Sequence, residues 1–291
     1  MADNWTPPDL TGRIAVVVGA TRGVGRGIAE VLGQCRATVY VTGRSTRTKK
    51  TFEGGSTIQD VAETVTASGG RGIAVRCDVR SEKQMERLFA KVGREHGRID
   101  VLVSNVGWTD VSGDGNAMAM ARIDRKPVEW WDSNISVGLR SHFMSCRYGA
   151  GLMFEKGGLL VFTSELPEES VEYKDVVLDA RAHATKRMTQ VLARQLRSKK
   201  VATVVLVPGF PRTEGILAAW EERSSYFEGW TEEDFFAKTE TVHYSGRAVA
   251  ALAADREVLA RSGSVMRVFE CARAYGFTDT DGRVALSLSD S

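Results

Sequence analysis

Three glycines in the run Ile14-Ala-Val-Val-Val-Gly-Ala-Thr-Arg-Gly-Val-Gly-Arg-Gly27 have the spacing of a phosphate-binding turn. Gly19, Gly23 and Gly25 accept backbone angles closed to other residues and leave no side chain in the way. A pyrophosphate can therefore approach the loop amides and the positive end of the helix that follows. Gly19, Thr21, Arg22, Gly23, Val24 and Gly25 are the candidate contacts. Glycine spacing also fits an ordinary strand-to-helix turn, so the flanking elements carry the argument. An unbroken valine run precedes the loop, Val24, Ile28, Val31 and Leu32 give the helix an inward face, and Ala37–Thr42 supplies a second strand. Together they make a βαβ unit of the length a dinucleotide fold requires.

The second chemical signal is charge. After the second strand comes Gly43-Arg-Ser-Thr-Arg-Thr-Lys-Lys50, where a site for NAD often carries an acid on the ribose 2′-hydroxyl. Arg44, helped by Arg22, Arg47, Lys49 or Lys50, can neutralise a 2′-phosphate, which favours NADP(H); a solvated basic loop is the plainer alternative. Asp78 closes a third strand, Gly72–Asp78, and the carboxyl end of such a strand faces the ligand crevice. Asp78 is thus placed to accept from an adenine amino group.

The elements that must position these residues fit within 291 residues, 43% of them hydrophobic, which is enough for a full core in one domain spanning 1–291. The 39 basic and 37 acidic residues leave a net charge of +2, no footprint for nucleic acid or an anionic membrane, and a small molecule as the expected partner. Cys35, Cys77, Cys146 and Cys271 are too scattered for a metal site or a disulfide framework. The N-terminal stretch has no basic and apolar leader, and no run reaches membrane-spanning length, so a cytoplasmic location is expected.

A helix over 58–68, an amphipathic helix around Met85, Leu88, Phe89 and Val92, and strands over 100–107, 159–163, 201–207 and 265–269 continue the alternation. Gly19-x-x-x-Gly23-x-Gly25, Asp78-Val79, Ser104-Asn-Val-Gly107 and Pro208-Gly209 with Thr213, in this order over nearly the whole chain, resemble the short-chain dehydrogenase/reductase family. Trp131-Asp132, Val137-Gly-Leu-Arg-Ser-His142 and the tail 274–282 resemble its subgroup typified by dehydrogenase/reductase member 1. The resemblance implies an α/β fold: a three-layer, doubly wound Rossmann-type sandwich with a seven-stranded parallel sheet and a helical substrate lid over about 210–244. It also implies that Val79, Asn105, Gly107, Pro208, Gly209 and Thr213 contact the cofactor, and that long fourth and fifth helices pair in a homodimer or homotetramer.

The family's catalytic pattern is broken. Its members usually carry a Tyr four residues before a Lys, so that the lysine lowers the tyrosine pKa and holds the nicotinamide ribose while the tyrosine moves the proton. Lys186 is the lysine in the right region, and Ala182 stands where the tyrosine is expected. The serine that polarises the substrate carbonyl is matched by Thr163-Ser164-Glu165, so either Ser164 is shifted by one residue or Glu165 has replaced it. The helical asparagine falls on Ile135, with Asn134 beside it.

Between Glu165 and Ala182 the chain is long and acidic, with Glu168, Glu169, Glu172, Asp175 and Asp179; a solvated face explains most of these charges. Glu165, just past a central strand, should face the crevice. Asp179 lies three residues before Ala182 and seven before Lys186, which puts all three on one helical face. Tyr173 can supply the missing hydroxyl only if its loop folds back. Trp220, Tyr226, Phe227, Trp230, Phe235 and Phe236 suggest a bulky apolar or aromatic substrate, with Trp108, Met118 and Met120 on the opposite wall, although aromatics at helical spacing are more often core.

Three readings follow. The first is an NADP(H)-dependent oxidoreductase acting on a carbonyl or activated double bond without the usual Tyr, because hydride chemistry belongs to the nicotinamide. The second is a non-redox cyclase, dehydratase, isomerase or lyase with Glu165 as acid or base, and the third a silent binding subunit.

Overall fold

A computed structural model of the chain describes residues 5–51, 54–107, 121–165 and 175–284. Seven parallel strands form one sheet in the order β3-β2-β1-β4-β5-β6-β7. They are β1 (Ile14–Val18), β2 (Thr38–Gly43), β3 (Arg71–Arg76), β4 (Val101–Ser104), β5 (Gly158–Thr163), β6 (Val201–Val207) and β7 (Val265–Arg267). The order reverses between β1 and β4, which opens a crevice at their carboxyl ends, where doubly wound sheets bind ligands.

The central strands are almost wholly apolar because helices cover both faces. Alternate side chains divide between two cores. Ala15, Val17, Val39, Val41, Val103 and Val161 pack with helices α1 (Gly23–Gln34), α2 (Ile58–Ala67), α8 (Val242–Ala254) and α9 (Val268–Tyr275). Val16, Val18, Leu102, Leu160 and Phe162 pack with α3 (Glu82–His96), α4 (128–149) and α5 (Val176–Leu196). The result is the expected three-layer α/β sandwich.

Helix α4 is not uniform. It is α-helical over Val128–Trp131, π-helical over Asp132–Leu139 and α-helical again over Arg140–Gly149. The wider π-helical turn changes which side chains point inward, a feature frequent at functional sites.

Three strands end earlier than their apolar runs suggest, for local reasons. β7 stops at Arg267 because Glu270 reaches back to the Arg267 amide (3.1 Å) and starts α9. β3 stops at Arg76, and Asp78 instead accepts from the Arg80 amide (3.0 Å) in a side-chain turn. β4 stops at Ser104, so Asn105 and Gly107 lie in the connection beyond it. Among the described residues no helix is long and apolar enough to cross a membrane.

Candidate functional site

At the tip of β1 the backbone itself forms the cradle. Gly19 has φ +86°, and a Cβ there would stand 2.6 Å from Val106 Cγ2. A Cβ on Gly25 would stand 2.0 Å from the Gly19 carbonyl oxygen and 2.5 Å from Asn105 Nδ2. Asn105 donates from Nδ2 to that carbonyl (3.0 Å) and accepts at Oδ1 from Thr163 Oγ1 (2.9 Å), tying together the ends of β1, β4 and β5. Beneath this knot His142 shares a hydrogen bond with Ser104 Oγ (2.9 Å); burial, then the Arg181 charge, pushes its pKa down to about 3, so it stays neutral. Thr21 packs against Gly43, Val24 lies against the core, Val79 is buried, and Arg22 is the half-buried residue preceding α1. These residues fit a dinucleotide pyrophosphate: a tight turn, glycines that carry no side chain of their own into the cradle, and a helix N-terminus.

Arg44 is half-buried at the carboxyl end of β2, and its charge is felt at Asp78. Burial raises the Asp78 pKa, but the Arg80 hydrogen bonds and the charges of Arg80 and Arg44 outweigh it and hold the carboxyl below the usual range. Its Oδ2 lies 2.7 Å from Arg80 Nη2, so the group expected to meet adenine is already paired. Arg47 is drawn to Asp60 (3.2 Å) and Glu63 on α2, while Lys49 and Lys50 are exposed. Arg44 is thus the half-buried cation of this loop, whereas Arg47, Lys49 and Lys50 are exposed.

Beyond β6, Pro208 and Gly209 lead to Thr213, whose hydroxyl caps α6 (Glu214–Glu221) by accepting from the Ile216 amide (3.4 Å). Thr213 Cγ2 lies 3.2 Å from the Cβ position of Gly23. Glu214 Oε2 accepts from the Gly23 amide (2.8 Å), and Oε1 lies 3.0 Å from Arg26 Nε. Under Gly209 sits Glu240, fully enclosed; burial, reinforced by Asp279, pushes its carboxyl up to about 8 against the pull of the Gly209 amide and Arg212.

The expected lid folds as α6, a short turn over Ser225–Phe227 and α7 (Glu232–Lys238). Its aromatics serve first as its own core. Phe227 contacts the rings of Phe210, Trp220, Tyr226, Trp230 and Phe235, and Trp220 stacks on Phe235 at 4.3 Å. Phe227 and Phe235 are buried, leaving Tyr226 and Phe236 as the exposed rings. The plainer expectation, that aromatics at helical spacing form core, describes most of them: a segment standing off the sheet needs its own apolar centre.

At the tip of β5, Ser164 is buried and its Oγ has no hydrogen-bond partner. Glu165 follows it and forms an ion pair with Arg181, whose side chain is only 3% exposed against 27% for Glu165. Arg181 Nη1 lies 2.9 Å from the Cβ position of Gly107 and 3.3 Å from that of Gly138 in the π-helical turn. The guanidinium is thus wedged between the β4 loop and α4. Its Nη1 and Nε, together with Glu165 Oε2 and Asn134 Oδ1, are buried without partners. Asn134 is held by its own amide on the Trp130 carbonyl (2.9 Å), while Ile135 turns to an outer apolar groove with Phe143, Ala184 and Met188.

The other catalytic candidates are not gathered here. The buried line of α5 includes Arg181, Ala182, Thr185 and Thr189. Asp179 and Lys186 share a flank beside that line, and both are half-buried. Asp179 pairs with His183 at the surface (3.2 Å), and Lys186 borders a cleft with Gln190, Gly263, Ser264, Val265, Arg267 and Glu270 at the β7 edge. None of these contacts joins Asp179 or Lys186 to Glu165 and Arg181: helical spacing gives a shared face but not its direction. Tyr173, Glu168, Glu169, Glu172, Trp108, Met118 and Met120 lie outside the described residues. Asp175 caps α5 through the amides of Val177 (2.8 Å) and Leu178 (3.2 Å) and meets Trp130 Nε1 (2.8 Å) and Lys126 Nζ (3.1 Å), an anchoring role. Arg181 escaped the sequence reading, although its spacing of four and eight residues before Thr185 and Thr189 puts a charge on the inward line.

A seven-stranded doubly wound sheet with a glycine cradle at its switch point defines a nucleotide-binding α/β protein, and comparison makes the class specific. Residues 19–268 match the family model described as enoyl-(acyl carrier protein) reductase. The chain is 36% identical over 289 residues to the human dehydrogenase/reductase SDR family member 1, covering 96% of this chain and 88% of that protein. The mouse protein of that name is 35% identical, with 94% and 85% covered. A crystal structure of a short-chain type dehydrogenase/reductase from Mycobacterium marinum superposes with a TM-score of 0.70 at 20% identity, covering 89% of this chain and 94% of that one, and shows the shared fold. The chain belongs to the short-chain dehydrogenase/reductase family and resembles its member 1 subgroup.

Proposed function

We propose that the protein is an NADP(H)-dependent reductase of altered mechanism, acting on the carbonyl or activated double bond of a bulky apolar or aromatic compound. The observation that carries this reading is the Glu165–Arg181 pair beside Gly107, in a crevice whose cradle fits a dinucleotide. Bound there, the nicotinamide supplies hydride. The cradle and Asn105 fix the dinucleotide, and Arg44 selects the 2′-phosphate. Glu165 exchanges the proton at its carboxyl group, and Arg181 holds that carboxyl in place. The exposed rings of Tyr226 and Phe236 offer the substrate an apolar surface. The outer groove of α4 and α5, with Phe143 exposed, suits pairing into a homodimer or homotetramer. Four buried free thiols suit a reducing, cytoplasmic compartment.

A second reading, non-redox acid/base chemistry at Glu165, is favoured by one feature: buried Ala182 presents only a methyl group, and Lys186 borders a different cleft. Both readings use Glu165, and NADPH consumption separates them. Against a panel of aryl ketones and enones, the first reading predicts consumption matching product, whereas product without consumption supports the second. Glu165→Gln should lower turnover by roughly a hundredfold or more, the scale of a general acid or base. It should also leave NADPH affinity within about threefold of the parent. Turnover within about threefold of the parent rejects a catalytic Glu165.

A further inference from the structure

We propose that Glu214 is an internal occupant of the pyrophosphate site, displaced when a dinucleotide enters, so that cofactor binding unlatches the lid. The proposal rests on the reading that the cradle binds NADP(H). Glu214 is the first residue of the lid helix α6, and its carboxylate takes the Gly23 amide at the N-terminus of α1. That amide and the positive end of α1 are what the phosphate oxygens require.

The contact is a charge-assisted hydrogen bond, so an anion already neutralises the cradle. Arg26, one turn into α1, lies 3.0 Å from the other carboxylate oxygen, yet neither of these two atoms has a hydrogen-bond partner. The pair is an ion contact without hydrogen-bond geometry, and Arg26 also faces Glu30 (4.0 Å), so its charge stays balanced when Glu214 leaves. Thr213 closes the same gap from above, its methyl against Gly23. Phosphate and carboxylate cannot both hold the Gly23 amide. Because Glu214 begins α6, three residues beyond the Pro211–Glu240 bridge, its release frees the first turn of the lid helix from α1 while the bridge still holds the base. Cofactor would therefore enter first and reposition the wall against which substrate binds.

The test is equilibrium titration of NADPH, by cofactor fluorescence, into the parent, Glu214→Gln and Glu214→Ala, with inorganic pyrophosphate as a second probe. Removing the competing charge should tighten both NADPH and pyrophosphate binding by roughly tenfold. It should also increase hydrogen exchange of residues 214–221 in the cofactor-free protein, towards the level the parent shows with NADPH. Cofactor-free melting curves verify that each variant folds, and Glu214→Gln keeps the shape of the native residue. Unchanged or weaker NADPH binding by both folded variants, with a parent that binds, overturns the latch and leaves the cofactor reading standing. Failure of parent and variants alike to bind NADPH overturns the cofactor reading and the latch with it.

Discussion

The tip of β1 and the tip of β5 lie two strands apart on the same edge of the sheet and do their work with different material. At β1 the ligand-facing groups are backbone amides, and the constraint on sequence is steric: any Cβ at Gly25 runs into the Gly19 carbonyl. At β5 the groups are side chains, and Glu165 with Arg181 stands where the family pattern expects a serine and a tyrosine–lysine relay. A backbone cradle tolerates only glycine whatever it binds. A side-chain site can exchange its chemistry and leave the scaffold intact, and under the proposed function one end would be kept and the other rebuilt.

The largest effect should come from splitting the rebuilt pair. Glu165→Leu strands the nearly enclosed Arg181 charge and should cost about 3–5 kcal/mol in urea unfolding. Arg181→Met, which leaves the more exposed partner unpaired, should cost less. The double change Glu165→Leu with Arg181→Met should recover most of the loss, since apolar groups can replace a buried pair. A double variant no more stable than Glu165→Leu would show that the pair is not the unit described here.

At the other end, Gly25→Ala forces a methyl group into backbone and should cost roughly 1–3 kcal/mol while abolishing measurable NADPH binding. Normal binding by that variant would mean that the glycine cradle is not the cofactor site. Smaller still, Arg44→Ala should narrow the preference for NADPH over NADH by about tenfold, or 1.4 kcal/mol, in titration calorimetry. Equal affinities in the parent would remove the 2′-phosphate argument.

The same contrast explains what could be read before the structure. Gly19, Gly23, Gly25 and the valine run of β1 declare a cradle because sterics and burial act within a few residues. The three-layer fold was legible for the same reason, strand by strand. The site at β5 was half legible: Glu165 was placed by its position after a central strand, but its partner lies 16 residues on, and only tertiary packing aims Arg181 inward. Spacing along α5 puts Asp179 and Lys186 on one flank and could not say that their neighbours there are His183 and the β7 cleft. Nor could it show that Asn134, rather than Ile135, is turned inward, because that depends on the π-helical turn of α4.

Lys186 tests the central claim most directly, that the cradle survives while the family's lysine-based relay has been given up. NADPH should be titrated into the parent and into Lys186→Met, with unfolding curves to match. Because Lys186 borders the β7 cleft, its loss should leave the NADPH dissociation constant within about threefold of the parent. A loss of roughly tenfold or more in a stably folded Lys186→Met would put the lysine back on the nicotinamide ribose and contradict the account.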